Sequence, residues 1–136
     1  MGRRNSEPVR AVLCGSFRRD RTGLAQAYDE LVCTGCQVLS PRRLRFDDGE
    51  FVRDAAEVGL AVREIEVMHL TAIAQADFIW LHVPEGHVGT SAALEIGYAL
   101  AHRIPIFART TPSDVMLREF VMVVPSVYDA RRVLGR

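Results

Sequence analysis

The chain has 136 residues, 49% apolar and 25% charged, which suits one soluble globular domain with a full core. Seventeen basic residues balance seventeen acidic ones to a formal net charge of +0, so the totals give no electrostatic case for a nucleic-acid polymer or a membrane surface as partner. No apolar run approaches the roughly 20 residues of a membrane span, and no signal-peptide pattern opens the chain.

The N-terminus is locally basic (Arg3, Arg4, Arg10) but short and polar. Residues 1–8 read as a disordered lead-in and 9–136 as the single domain. Val9 to Cys14 (VRAVLC) is a strand candidate that runs into a turn at Gly15-Ser16-Phe17-Arg18. Thr22 to Thr34 has helical spacing, with Leu24, Ala27, Tyr28, Leu31 and Val32 on one face and Gly35 at its end. Gln37 to Ser40 (QVLS) is a second strand, closed by Pro41. Arg42 to Arg53 is polar and irregular, a loop with a turn at Asp47-Asp48-Gly49.

Ala55 to Ala76 carries apolar residues at Val58, Val62, Ile65, Leu70 and Ile73, a helix with Gly59 as a candidate break. Asp77 to Val83 (DFIWLHV) is nearly continuous in apolar residues, as a strand buried on both faces requires. Pro84 to Gly89 is a loop, Thr90 to His102 a helix and Ile104 to Ala108 a fourth strand. Thr111 to Asp114 starts a short helix. Phe120 to Val124 is a fifth strand and Ser126 to Leu134 a last helix. Strands alternate with helices, which predicts an α/β fold: a doubly wound, five-stranded parallel sheet of flavodoxin-like (Rossmann-like) order 2-1-3-4-5. In such sheets a ligand sits outside the carboxyl ends of the strands, near the switch point between strands 1 and 3.

Three cysteines, an odd count in a chain of ordinary length, argue against a disulfide scaffold and for a reducing cytoplasm. Cys33-Thr-Gly-Cys36 has CxxC spacing, but it falls where a helix ends rather than where one begins, and no second pair completes a zinc site. Both cysteines read as small buried residues. No cofactor and no metal are expected.

Two loops fall on the ligand edge. Gly15, Ser16, Phe17 and Arg18 offer a glycine, a hydroxyl, free backbone N–H groups and an arginine fork, a set suited to phosphate. The alternative is an ordinary turn with solvated arginines. The loop before the third helix contains Gly86 and Gly89, where backbone can approach a ligand, and Thr90 or Ser91 as N-cap. Glu95 follows, on the face shared by Ser91, Ala92, Tyr98 and Ala99, and leans back over the sheet edge. A carboxylate among apolar neighbours is costly unless paired or functional. A favourable place near the helix N-terminus is the competing account. Glu66 and His69 share a helix face, either facing the same cleft or forming a satisfied core pair. His82, His87 and His102 carry no assigned role.

The succession VLCGSFR, HLTAIAQADFIWL, GTSAALEIGYAL and IPIF resembles the nucleoside 2-deoxyribosyltransferase superfamily, closest to its 2′-deoxynucleoside 5′-phosphate N-hydrolase branch. The resemblance spans about Val12 to Phe107, with the ExGYA helix its most specific element. It implies that Glu95 attacks C1′ of the sugar and that Gly15, Ser16 and Arg18 bind a 5′-phosphate. His69 stands where the family has an aspartate, eight residues before the aspartate that starts strand 3. An imidazole there could act as general acid, with Glu66 orienting it. The GT-then-E spacing is also similar to the PGGxGTxxE motif of the phosphoribohydrolases that release cytokinin bases. The resemblance further implies a homodimer or higher homo-oligomer, with Ser113 as a candidate contribution from a neighbouring copy.

The expectation is therefore an enzyme cleaving the N-glycosidic bond of a (deoxy)nucleoside 5′-monophosphate, with Glu95 and His69 catalytic. Gly15, Ser16, Phe17, Arg18, Glu66, Gly89, Thr90, Ser91 and Ser113 would bind substrate. Two alternatives stand beside it: a deoxyribosyltransferase acting on free nucleosides, and a nucleotide sensor without chemistry in which Glu95 accepts a ribose hydroxyl.

Overall fold

The computed structural model describes residues 7–15, 17, 19–42, 46–47, 50–51 and 61–136. Seven strands and four α-helices follow one another there: β1 (Arg10–Gly15), α1 (Arg21–Cys33), β2 (Gln37–Ser40), β3 (Phe46–Asp47), β4 (Glu50–Phe51), α2 (Val62–Gln75), β5 (Phe78–His82), α3 (Thr90–Ala101), β6 (Ile106–Ala108), β7 (Met122–Val123) and α4 (Val127–Leu134). Five strands form one sheet in the order β2-β1-β5-β6-β7, and every neighbouring pair is parallel. This is the predicted 2-1-3-4-5 order.

Side-chain alternation along β1 and β5 divides the core in two. Val12, Cys14, Ile79 and Leu81 face α2 and α3, meeting Ala72, Ile73, Ala92, Ile96 and Ala99. Ala11, Leu13, Phe78 and Trp80 face α1 and α4, meeting Leu24, Ala27, Leu31, Val127 and Ala130. Phe78 and Phe107 pack edge to face with ring centroids 5.9 Å apart. Each such large side chain contributes about 1.5–3 kcal/mol on burial. No helix among the described residues is long and apolar enough to cross a membrane.

Several boundaries differ from expectation for local reasons. Asp20 caps α1 by accepting from the Gly23 N–H, so the helix begins at Arg21. The Arg42 to Arg53 loop contains a short antiparallel ladder, β3 with β4; Asp48 and Gly49 of its expected turn lie outside the described residues, as do positions 52–60 with Gly59. The expected helix over 55–76 is described as Val62–Gln75. Thr111 to Asp114 starts no α-helix. Instead Asp114 Oδ1 accepts from the Met116 and Leu117 N–H groups, and a 3₁₀ turn takes residues Leu117–Phe120. That turn consumes the start of the expected fifth strand, and β7 keeps only Met122 and Val123, both exposed. An edge strand beside the three-residue β6 has few partners to extend along. Ser126 caps α4 and exchanges hydrogen bonds with Asp129.

Candidate active site

A cleft of about 1230 Å³ opens at the carboxyl ends of β1 and β2, against α2 and the start of α3. This is the switch-point edge that the topology selects. Among its lining residues are Gly15, Phe17, Ser40, Glu66, His69, Gly89, Thr90, Ser91 and Glu95. Most of the expected site residues therefore converge on one wall. Ser16 and Arg18 lie outside the described residues, but Gly15 and Phe17, which flank Ser16, both line the cleft. Gly15 cannot carry a side chain: its φ is +140° and an added Cβ would stand 2.4 Å from the His82 carbonyl oxygen. The close β1–β5 ladder, with Gly15 opposite His82, thus forces the glycine that opens this loop.

Glu95 sits in the second turn of α3 and is only 7% exposed. Its partner is His69, which projects from α2: Nε2 lies 3.4 Å from Glu95 Oε1. The other ring nitrogen, Nδ1, lies 2.6 Å from Ser40 Oγ at the end of β2. Cys14 Sγ lies 3.5 Å from Nε2, beneath the pair. The dipole account of Glu95 is thus insufficient, because the carboxylate has a specific side-chain partner in His69.

The electrostatics differ sharply between neighbouring groups. Burial alone would raise the Glu95 pKa, but the hydrogen bond and charge of His69, with hydrogen bonds from Glu66 and Cys14, outweigh it and leave the carboxyl below its ordinary range. Glu66 goes the other way, pushed up to about 7 by burial first and then by the adjacent Glu95 carboxylate, with His69 opposing. Cys14 is raised well above the usual thiol range by burial and by the negative charge of Glu95. One carboxylate is held ionised while its neighbour titrates near neutrality, a division that acid–base sites use.

Two expectations change. Neither Thr90 nor Ser91 caps α3: Gly89 occupies the N-cap position without a side-chain bond, and Thr90 begins the helix. Both hydroxyl residues are exposed at the cleft mouth instead. The hydrogen bond that orients His69 through Nδ1 is shared with Ser40 Oγ, not with Glu66. Ser113, expected as a contribution from a neighbouring copy, stands outside the cleft of its own chain. Its N–H and Oγ both donate to the Gly86 carbonyl, at 2.9 and 3.0 Å, and pin the loop after β5. Gly86 has φ +79° and an added Cβ would meet the Ser113 Cβ at 3.1 Å.

Sequence reasoning missed Ser40, Cys14 and His82. Ser40 and Cys14 share one signal, their place at the carboxyl ends of β2 and β1. His82 Nε2 lies 3.2 Å from Asp20 Oδ2 and ties the start of α1 to the end of β5.

The donor atoms of Cys14, His69 and Glu95 all lie within 4.8 Å of one another, the convergence a metal would need. A soft cation there requires a thiolate, whereas burial and Glu95 favour the protonated thiol. The set is better suited to a His69–Glu95 contact resting on a neutral thiol. Of the CxxC residues, Cys33 is exposed at the end of α1 and Cys36 is buried. No protein-family model and no curated protein matches this chain.

Proposed function

We propose that this chain cleaves the N-glycosidic bond of a nucleoside or 2′-deoxynucleoside 5′-monophosphate through attack by Glu95. The observation that carries the reading is the Glu95 carboxylate: buried, kept ionised by His69, and facing a cleft at the switch point of the sheet. An anionic oxygen held in that way suits capture of the oxocarbenium-like carbon that forms as the base departs. The pair also excludes easy protonation of the nucleophile, because His69 bears on it directly.

The loop that opens at Gly15 supplies the phosphate subsite, with Ser16 and Arg18 as its ligands and Phe17 against the sugar or base. Thr90 and Ser91, exposed at the mouth, are placed to meet sugar hydroxyls. Water completes hydrolysis from the glycosyl-enzyme; a second base in its place completes transfer.

The test is a panel of ribo- and deoxyribonucleoside 5′-monophosphates and their free nucleosides, scored for released base by chromatography. Release from monophosphates, abolished in Glu95→Gln while nucleotide binding persists, is the expected result. Release from nucleosides alone would move the reading to the nucleoside transferases. Nucleotide binding without any release would make the cleft a sensor.

A further inference from the structure

Resting on the glycosidase reading above, we infer that Glu66 delivers the proton to the departing base, and that His69 is a positioning residue clamped between Ser40 and Glu95. The geometry divides the two roles. The His69 ring is buried, and both of its nitrogens are engaged, Nδ1 with Ser40 and Nε2 with Glu95 and Cys14. Delivering a proton into the cleft would cost it one of those contacts. Glu66 lies one turn earlier on α2, on the same face, and lines the cleft. Its carboxyl shares a hydrogen bond with Glu95, but its Oε1 is buried with no hydrogen-bond partner among the described residues. A buried polar atom left open in this way is costly unless a ligand completes it.

The protonation state agrees with the geometry. Glu66 titrates at about 7, so near neutrality a large fraction of it carries a proton it can give, beside a carboxylate that does not. The titratable groups that bear on it among the described residues are Glu95 on α3 and His69 on its own helix, with Cys14 beyond them on β1. Arg42, after β2, lines the same cleft.

The step balances without a co-reactant. As the C1′–N bond breaks, its electron pair passes to the base, and the Glu66 O–H donates a proton to a ring atom of that base. Glu95 bonds to C1′. Water then attacks C1′, its proton returns to the Glu66 carboxylate, and the C1′–O bond to Glu95 breaks. The products are the neutral base and the sugar phosphate.

The experiment compares two substrates: the best nucleotide of the panel, and the 5-phosphate of the same sugar carrying 4-nitrophenoxide at C1, a leaving group that departs as the anion. Glu66→Gln should lower kcat/KM at least about 100-fold on the nucleotide, within the range for lost general acid catalysis. It should lower it less than about 5-fold on the nitrophenyl compound. His69→Gln should weaken both, because it acts through Glu95. On the nucleotide, the unmodified protein should lose activity as pH rises through about 7, and Glu66→Gln should lose that limb. Equal losses on both substrates, or a limb that survives in Glu66→Gln, would overturn the assignment and leave Glu95 standing. Turnover that persists in Glu95→Gln, or its absence in the unmodified protein on both substrates, would remove the glycosidase reading itself.

Discussion

His69 Nε2 stands 3.4 Å from Glu95 Oε1 across the α2–α3 interface, while Nδ1 of the same ring stands 2.6 Å from Ser40 Oγ. The imidazole therefore links the end of β2 to the second turn of α3. A ring held at one nitrogen has its other nitrogen fixed in direction and tautomer. The position of the carboxylate is thus set partly by a serine on a different strand.

Ser40→Ala tests that link. It removes one hydrogen bond, worth about 0.5–1.5 kcal/mol, from a buried ring. The expected result is a fall in kcat of up to about tenfold with KM little changed, since the substrate loses no contact. Steady-state kinetics on the best nucleotide of the panel reads both. A rise in KM alone would mean that Ser40 touches substrate instead.

Glu66 makes stability depend on pH. Its folded-state value of about 7 lies above its ordinary value of 4.5, so the folded chain holds this proton more tightly than the unfolded chain between those limits. Its contribution is fully present below pH 4.5 and is lost as pH rises through about 7. Glu95 has the opposite sign: its contribution is present above 4.5 and is lost as pH falls below that value. Denaturant midpoints should therefore decline from about pH 5 to pH 8, and Glu66→Gln should flatten the decline. The difference is on the order of 1 kcal/mol, because solvent screens a half-buried carboxyl. Urea titrations at four pH values would show it, and parallel curves for the two proteins would refute it.

The cysteines should divide by exposure. Cys33 is exposed, whereas Cys14 and Cys36 are buried with thiols raised by burial. Iodoacetamide on the folded protein should label Cys33 first, with mass spectrometry placing the adduct. Rapid labelling of Cys36, or a Cys33–Cys36 disulfide under mild oxidation, would reopen the redox reading of CxxC.

Periodicity made the sheet legible. The apolar run Phe78 to Leu81 could only be a strand covered on both faces, and strict alternation with helices then fixed the parallel order. Glu95 was legible because a carboxylate among Ala92, Ile96 and Ala99 contradicts its surroundings. Ser40 and Cys14 were not, because serine and cysteine are unremarkable at strand ends and gain meaning only from His69, 29 and 55 residues away in the chain. The proposed division of labour between Glu66 and His69 rests on the open Oε1 of Glu66, a fact of packing that spacing does not encode. Likewise the 3₁₀ turn over Leu117–Phe120 wins over the strand propensity of its neighbours through two backbone bonds to Asp114.

The proposed phosphate subsite is open to a direct test through Arg18. Gly15 and Phe17 line the cleft, and Arg18, next in the chain after Phe17, is the proposed ligand of the phosphate. A guanidinium there would make charge-assisted hydrogen bonds to a phosphate dianion, worth about 1.5–3 kcal/mol when lost. Arg18→Ala should raise KM for a nucleoside 5′-monophosphate by about 10- to 100-fold and leave any turnover of the free nucleoside unchanged. High salt should compress that difference, since it screens the interaction in the unmodified protein. Equal effects on nucleotide and nucleoside would place Arg18 away from the phosphate and leave the phosphate preference, if the panel shows one, to be sought at other residues of the cleft.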